Sequence, residues 1–170
     1  MTSPAEEARH AKAIALRLLR VTDRSRAALI DRLVERDVAP ATAEIVVEAL
    51  ERGRLVDDLR LARETVDREL SRGPTGRGRL EIKLASIGVP DDIAGGVLDE
   101  AFDGRDPDPD AEAFARTKLR AFPPRLDPGA RARRLAAALA RRGFDEDTAA
   151  RVVLRLVPDA TLDPSETSTE

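Results

Sequence analysis

The chain of 170 residues contains no cysteine, tryptophan or tyrosine and a single histidine, which excludes disulfides, thiolate chemistry and cysteine-ligated zinc and removes most groups that transfer protons or attack substrates. Aliphatic side chains and alanine supply nearly all of the 42% apolar content, with aromatics at 2%, a palette suited to helices. Charged residues make up 36% of the chain but almost cancel, to a net −3, so any electrostatic recognition depends on where the charges lie.

From the start, Met1 to Arg20 alternates charged and apolar residues without an uninterrupted apolar run. Neither a signal peptide nor a membrane span is expected there, and the reading is a cytoplasmic protein without a membrane partner. Ala11, Ile14, Ala15, Leu18 and Leu19 form a helical stripe. Ser25 can cap a second helix carrying Leu29 and Leu33. A stop at Asp37 and a first-turn Pro40 introduce a third helix with Ala43, Val46 and Val47.

That pattern recurs twice. Leu29, Leu33, Asp37, Val38, Ala43, Val46 and Val47 return as Leu80, Leu84, Gly88, Val89, Ala94, Val97 and Leu98, then as Leu135, Leu139, Gly143, Phe144, Ala149, Val152 and Val153. Gly88 and Gly143 are stops where the chain enters the left-handed region; Asp37 tolerates that conformation less well, so slight strain is expected there. The helix before each pair is marked by Leu61, Ala62 and Thr65 in the second copy and by Phe114, Ala115, Leu119 and Phe122 in the third. Pro90, Asp127 with Pro128, and Asp145 supply further start signals.

The predicted fold is all-α: an elongated, curved array of three tandem three-helix repeats resembling helix-turn-helix units, over residues 5–52, 53–102 and 110–158. An acidic, proline-rich linker is expected at 103–109 and a disordered tail at 159–170.

No constellation supports catalysis, a metal or a cofactor. His10 has no partner in register. Asp57 and Asp58 point in different directions on a helix and read as a cap beside the helix dipole. The Asp106-x-Asp108-x-Asp110 run fails as a calcium loop at Ala111 and Thr117. Gly73 to Gly78 has P-loop glycine spacing, but Arg79 and Leu80 follow where lysine and a hydroxyl residue are required. What this segment offers is a glycine-rich turn opening onto a helix N-terminus beside Arg77 and Arg79, either a seat for phosphate or carboxylate or a loop of solvated arginines. Basic residues also gather at Arg131, Arg133, Arg134, Arg141 and Arg142 before any acid follows, whereas Asp99 to Glu112 is acidic.

Gly53-Arg-Leu-Val-Asp57-Asp58-Leu-Arg60-Leu61-Ala62, followed by Ser71-Arg72, Gly76, Arg79-Leu80, Leu84 and Gly88-Val89, resembles the bacterial RecX regulatory family over roughly residues 8–157. Gly53, Asp57, Asp58, Ala62, Leu80, Leu84 and Gly88 carry that motif as structural positions. Departures are an extra residue between Gly53 and Asp57, Arg77 in place of a proline, aromatics missing at Arg54 or Leu55 and at Leu61, and Asp37 in place of the first unit's stop glycine. The resemblance implies a monomeric, non-enzymatic regulator that binds the RecA recombinase filament, with single-stranded DNA as a further partner. It would inhibit or modulate ATPase, strand-exchange and co-protease activities in recombination and the SOS response. Arg68, Arg72, Gly76, Arg77, Arg79 and Lys83 are the candidate contacts to an acidic filament surface or to DNA phosphate, with Gly76 permitting close backbone approach. The competing reading is a direct DNA-binding protein built of helix-turn-helix-like repeats; it is disfavoured because the third helix of each repeat is rich in alanine, valine and acids rather than in groups that read bases.

Overall fold

A computed structural model describes residues 3–160, and these form nine α-helices and no strand. They are α1 (Pro4–Leu19), α2 (Arg26–Val34), α3 (Pro40–Arg52), α4 (Asp58–Ser71), α5 (Arg77–Ser86), α6 (Asp91–Phe102), α7 (Pro107–Arg120), α8 (Pro128–Arg141) and α9 (Glu146–Leu156). The starts follow the capping residues. Ser25 Oγ accepts from Ala28 N–H at 3.1 Å, Asp127 Oδ2 from Ala130 N–H at 3.0 Å and Asp145 Oδ1 from Thr148 N–H at 2.8 Å, each satisfying a donor with no partner inside its own helix. Pro40 is the first residue of α3; Pro90 lies one position before α6 and accepts from Ala94 N–H.

The seven repeated positions explain the triplication physically. Six are apolar and all eighteen side chains at these positions are buried; Leu29, Leu33, Leu84, Leu135 and Leu139 are 0% exposed. A fully buried leucine is worth about 1.5–3 kcal/mol, so these positions carry much of each core. At the seventh position φ is positive in every copy: 61° at Asp37, 76° at Gly88 and 88° at Gly143. The following amide reaches back to the last buried leucine: Val38 to Leu33 at 3.2 Å, Val89 to Leu84 at 3.1 Å and Phe144 to Leu139 at 3.2 Å. This closure satisfies carbonyls that the helix leaves open, and it requires the left-handed residue.

The described chain forms two compact units. The first comprises residues up to Arg68 together with Glu81–Ala101; the second comprises Glu69–Leu80 together with the chain from Phe102 onward. The division falls twice inside the middle repeat, within α4 and within α5, and once at its end, between Ala101 and Phe102. In the first unit α3 packs on α1 and α2 around Ala11, Ile14, Leu29, Leu33, Val47 and Leu50. In the second, α7, α8 and α9 pack on one another around Ala111, Ala115, Leu135, Leu139, Phe144 and Val152.

Two sequence expectations are corrected. The linker expected at 103–109 is helical from Pro107, because Asp106 Oδ1 caps Asp108 N–H at 2.9 Å and proline fits the first turn without losing a hydrogen bond. Within the tail expected at 159–170, Ala160 is 8% exposed and belongs to the second unit's core, its N–H donating to Val157. Residues 161–170 lie outside the described residues.

Candidate partner-binding site

The glycine-rich turn before α5 is held by backbone contacts within the second unit. Gly76 N–H donates to the Arg142 carbonyl at 3.0 Å and Gly78 N–H to the Gly143 carbonyl at 3.0 Å. Arg142 Nε donates to the Pro74 carbonyl at 2.6 Å, and its guanidinium lies 5.7 Å from the centre of the Phe114 ring. A Cβ on Gly76 would sit 2.1 Å from the Gly143 oxygen, and one on Gly143 would sit 2.2 Å from Arg79 N. The close approach permitted by Gly76 is thus spent on Gly143 of the same chain. Likewise, two amides of the expected anion seat are occupied by carbonyls, which are the natural internal partners for a helix N-terminus.

The candidate contact residues separate accordingly. Arg68 and Lys83 belong to the first unit and are exposed; Arg72, Gly76, Arg77 and Arg79 belong to the second. Arg72 pairs with Glu69 at 2.6 Å, and Arg77 is half-buried and already engaged. Arg79 is exposed at the start of α5. What these residues offer is charge along α4 and α5.

The motif residues are structural in distinct ways. Asp57 Oδ1 caps α4 through Arg60 N–H at 2.9 Å. Asp58, 9% exposed, instead accepts from Arg26 N–H at 2.8 Å and so ties α4 to the start of α2. Burial pushes its carboxyl above the ordinary range, opposed by the Arg26 hydrogen bond and charge. Ala62, Leu80 and Leu84 are core residues. Gly88 combines positive φ with close approach, since a Cβ there would lie 2.8 Å from Ser25 Oγ, which donates to the Ile87 carbonyl at 2.7 Å. Gly53 ends α3 at φ −82°, while the next residue, Arg54, takes the left-handed conformation at 56°.

The larger basic surface lies elsewhere in the second unit. Residues 113–144 contain nine Lys and Arg and one acid, Asp127. Lys118, Arg120, Arg125, Arg133, Arg134 and Arg141 are all exposed and have no carboxylate partner among the described residues. On α8, Arg133, Arg134 and Arg141 share an outward face with Ala137 and Ala140. By contrast, Asp108 and Glu112 on α7 are matched by Arg151 and Arg155 on α9 at 2.7–3.2 Å; hydrogen bonds, chiefly from Arg151 to Asp108 and from Arg116 and then Arg155 to Glu112, hold both carboxyls below their ordinary values. Such an arrangement can attract a polyanion or acidic surface. Among the described residues no His, Asp and Glu group is placed to hold a metal, and no helix is long and apolar enough to cross a membrane.

Sequence reasoning missed Arg142. It was visible as one basic residue in a run, but its side-chain bond to Pro74 joins segments distant in the chain, which periodicity does not report.

A family model described as the first three-helix domain of RecX matches residues 11–50. Regulatory protein RecX of Mycobacterium ulcerans (strain Agy99) is 33% identical over 153 residues, covering 90% of this chain and 88% of that protein. Regulatory protein RecX of Mycobacterium tuberculosis (strain ATCC 25177 / H37Ra) is 32% identical over 159 residues, covering 89% and 88%. Among solved structures, RecX from Lactobacillus salivarius matches with a TM-score of 0.72 at 18% identity, over 89% of this chain and 97% of that one. A further crystal structure of regulatory protein RecX matches with a TM-score of 0.74 at 19% identity, over 92% and 73%. These relatives are named as regulators rather than as enzymes, the structures share the helical fold, and with one-third identity across nine-tenths of its length the chain belongs to the RecX family of regulatory proteins.

Proposed function

We propose that this protein binds the RecA recombinase filament in the cytoplasm and modulates its ATPase, strand-exchange and co-protease activities, without catalytic chemistry of its own. The observation that carries this reading is the similarity to regulatory protein RecX across 90% of the chain. Several modest contacts from separate helices add by effective concentration, which suits a partner made of repeating subunits. The exposed cations of α4 and α5, Arg68, Arg79 and Lys83, and those of α8, Arg133, Arg134 and Arg141, are the surfaces proposed to meet acidic protein surface or single-stranded DNA in the filament.

The test is to add the purified protein, well below stoichiometry, to RecA hydrolysing ATP on single-stranded DNA. A progressive fall in rate is expected, and reversing charge at Arg79, Arg133 and Arg134 should weaken it. An unchanged rate at every ratio, together with salt-sensitive binding to bare DNA, would replace this reading by direct DNA binding.

A further inference from the structure

The first unit carries a groove with chemistry that its fold does not use. It is lined by His10, Ile14, Arg17 and Leu18 of α1 and by Arg36, just beyond α2, and its volume is about 440 Å³. Ile14, 8% exposed, and the partly buried Leu18 form an apolar floor continuous with the core. Val21, 83% exposed, follows Leu18 just past the end of α1 and extends the stripe.

Two guanidinium groups flank this floor. Arg17 Nε donates to the Ala13 carbonyl at 3.3 Å and Arg36 Nη1 to the Arg32 carbonyl at 2.9 Å. Each arginine is thus anchored to its own helix by one donor, and neither has a carboxylate partner among the described residues. Glu7 accepts from Ala39 N–H and Thr42 Oγ, and Glu35 pairs with Arg32 at 2.7 Å. An arginine has five donors in a planar fork, so both groups retain donors suited to a carboxylate.

We infer that this groove is a docking site for an acidic, amphipathic peptide segment of a partner protein, with aliphatic side chains on Ile14 and Leu18 and flanking carboxylates on Arg17 and Arg36. Charge complementarity selects the acid, and the apolar floor favours a peptide over a sugar–phosphate backbone, which has no aliphatic group to bury there. The volume is of the size that takes a few side chains. The inference is independent of the filament reading, because its occupant is defined by the chemistry of the groove.

Fluorescence anisotropy with a short fluorescein-labelled peptide, two leucines one helical turn apart flanked by glutamates, tests it. Saturable binding is expected, and the same peptide with glutamines should bind more weakly. The double variant R17E/R36E, with both substitutions on exposed side chains, should fold as judged by circular dichroism. It should lose about ten-fold in affinity, since each exposed pair is worth a factor of a few and reversal replaces attraction by repulsion. It should also gain affinity for the lysine version of the peptide, a rescue that a merely structural role does not produce. Absence of saturable binding, equal affinity for glutamate and glutamine peptides, or an unchanged double variant overturns the proposal. Displacement by a single-stranded oligonucleotide, or self-association that R17E/R36E abolishes, assigns the groove to another occupant and overturns it as well.

Discussion

Gly143 is the position where replacing one hydrogen by a methyl group should cost most. At φ 88° an alanine carries a left-handed penalty of about 1–2 kcal/mol. Its Cβ would also lie 2.2 Å from Arg79 N and 2.8 Å from the Gly76 carbonyl, both backbone atoms that cannot swing aside. Relief requires the start of α5 to move off the end of α8, which breaks Gly76 N–H to Arg142 and Gly78 N–H to Gly143. At a net value of about 0.5–1.5 kcal/mol for each bond, the total loss for G143A is about 2–5 kcal/mol, a large part of the stability of a small domain. The matched control is G96A. Nothing lies within 4 Å of a Cβ there, and Gly96 is inside α6, so the same chemical change should stabilise by about 0.5–1 kcal/mol. Urea unfolding followed by circular dichroism measures both, and amide exchange reports Gly76 and Gly78 directly. Equal costs for the two variants, or unchanged protection of both amides in G143A, would show that the backbone docking contributes nothing.

D37G and R54G place glycine where the chain already adopts φ 61° and 56°. Each should raise unfolding stability by about 0.5–1 kcal/mol, and a loss in either variant would contradict the strain assigned to these helix ends. Asp58 gives a pH-dependent test. Because burial raises its folded carboxyl value, the folded state binds that proton more tightly than the unfolded chain. Its contribution therefore grows as pH falls toward the ordinary carboxylate value of about 4 and is lost as pH rises through the folded value. D58N keeps an oxygen acceptor for Arg26 N–H and should flatten this part of the stability–pH curve, whereas D58A removes the acceptor and should cost about 1–3 kcal/mol. Parallel curves for wild type and D58N would rule out the assigned shift.

The repeat was legible because core burial and helix termination are local demands. A leucine every fourth residue, a left-handed stop and an alanine–valine stripe record them directly, and the same positions are buried in all three copies. Pro107 and Pro109 read locally as breakers, which hides the start of α7; the cap at Asp106 makes the first proline a helix opener instead. The left-handed residue after α3 is Arg54 rather than the preceding Gly53, with Leu55 N–H returning to Leu50 at 2.9 Å, and no residue type in the sequence marks it. The candidate site was legible only as composition. Glu69 three residues before Arg72 is a local signal of their pairing, but nothing local indicates that Arg79 is exposed or that Gly76 faces Gly143.

The two glycine stops that double as contact points reveal a shared device with different chemistry. In the first unit, Ser25 at the start of α2 meets the end of α5 through its hydroxyl, which donates to Ile87 while accepting from Ala28. In the second unit, Gly76 stands at the equivalent start of α5 and meets the end of α8 through its own amide, which donates to Arg142. A serine can bridge the gap with a side chain; a glycine closes it by bringing backbones into contact. The choice also fixes what each junction tolerates. At Gly88 a Cβ meets a hydroxyl that can rotate, along with Ala27 and Ala28 at 3.5 Å, whereas at Gly143 it meets main chain. A family motif that appears in sequence as a few isolated glycines, with a serine at the matching place, is therefore one mechanical requirement: the end of one second helix must seat on the start of another. The glycines nearest the candidate partner contacts are held by that requirement.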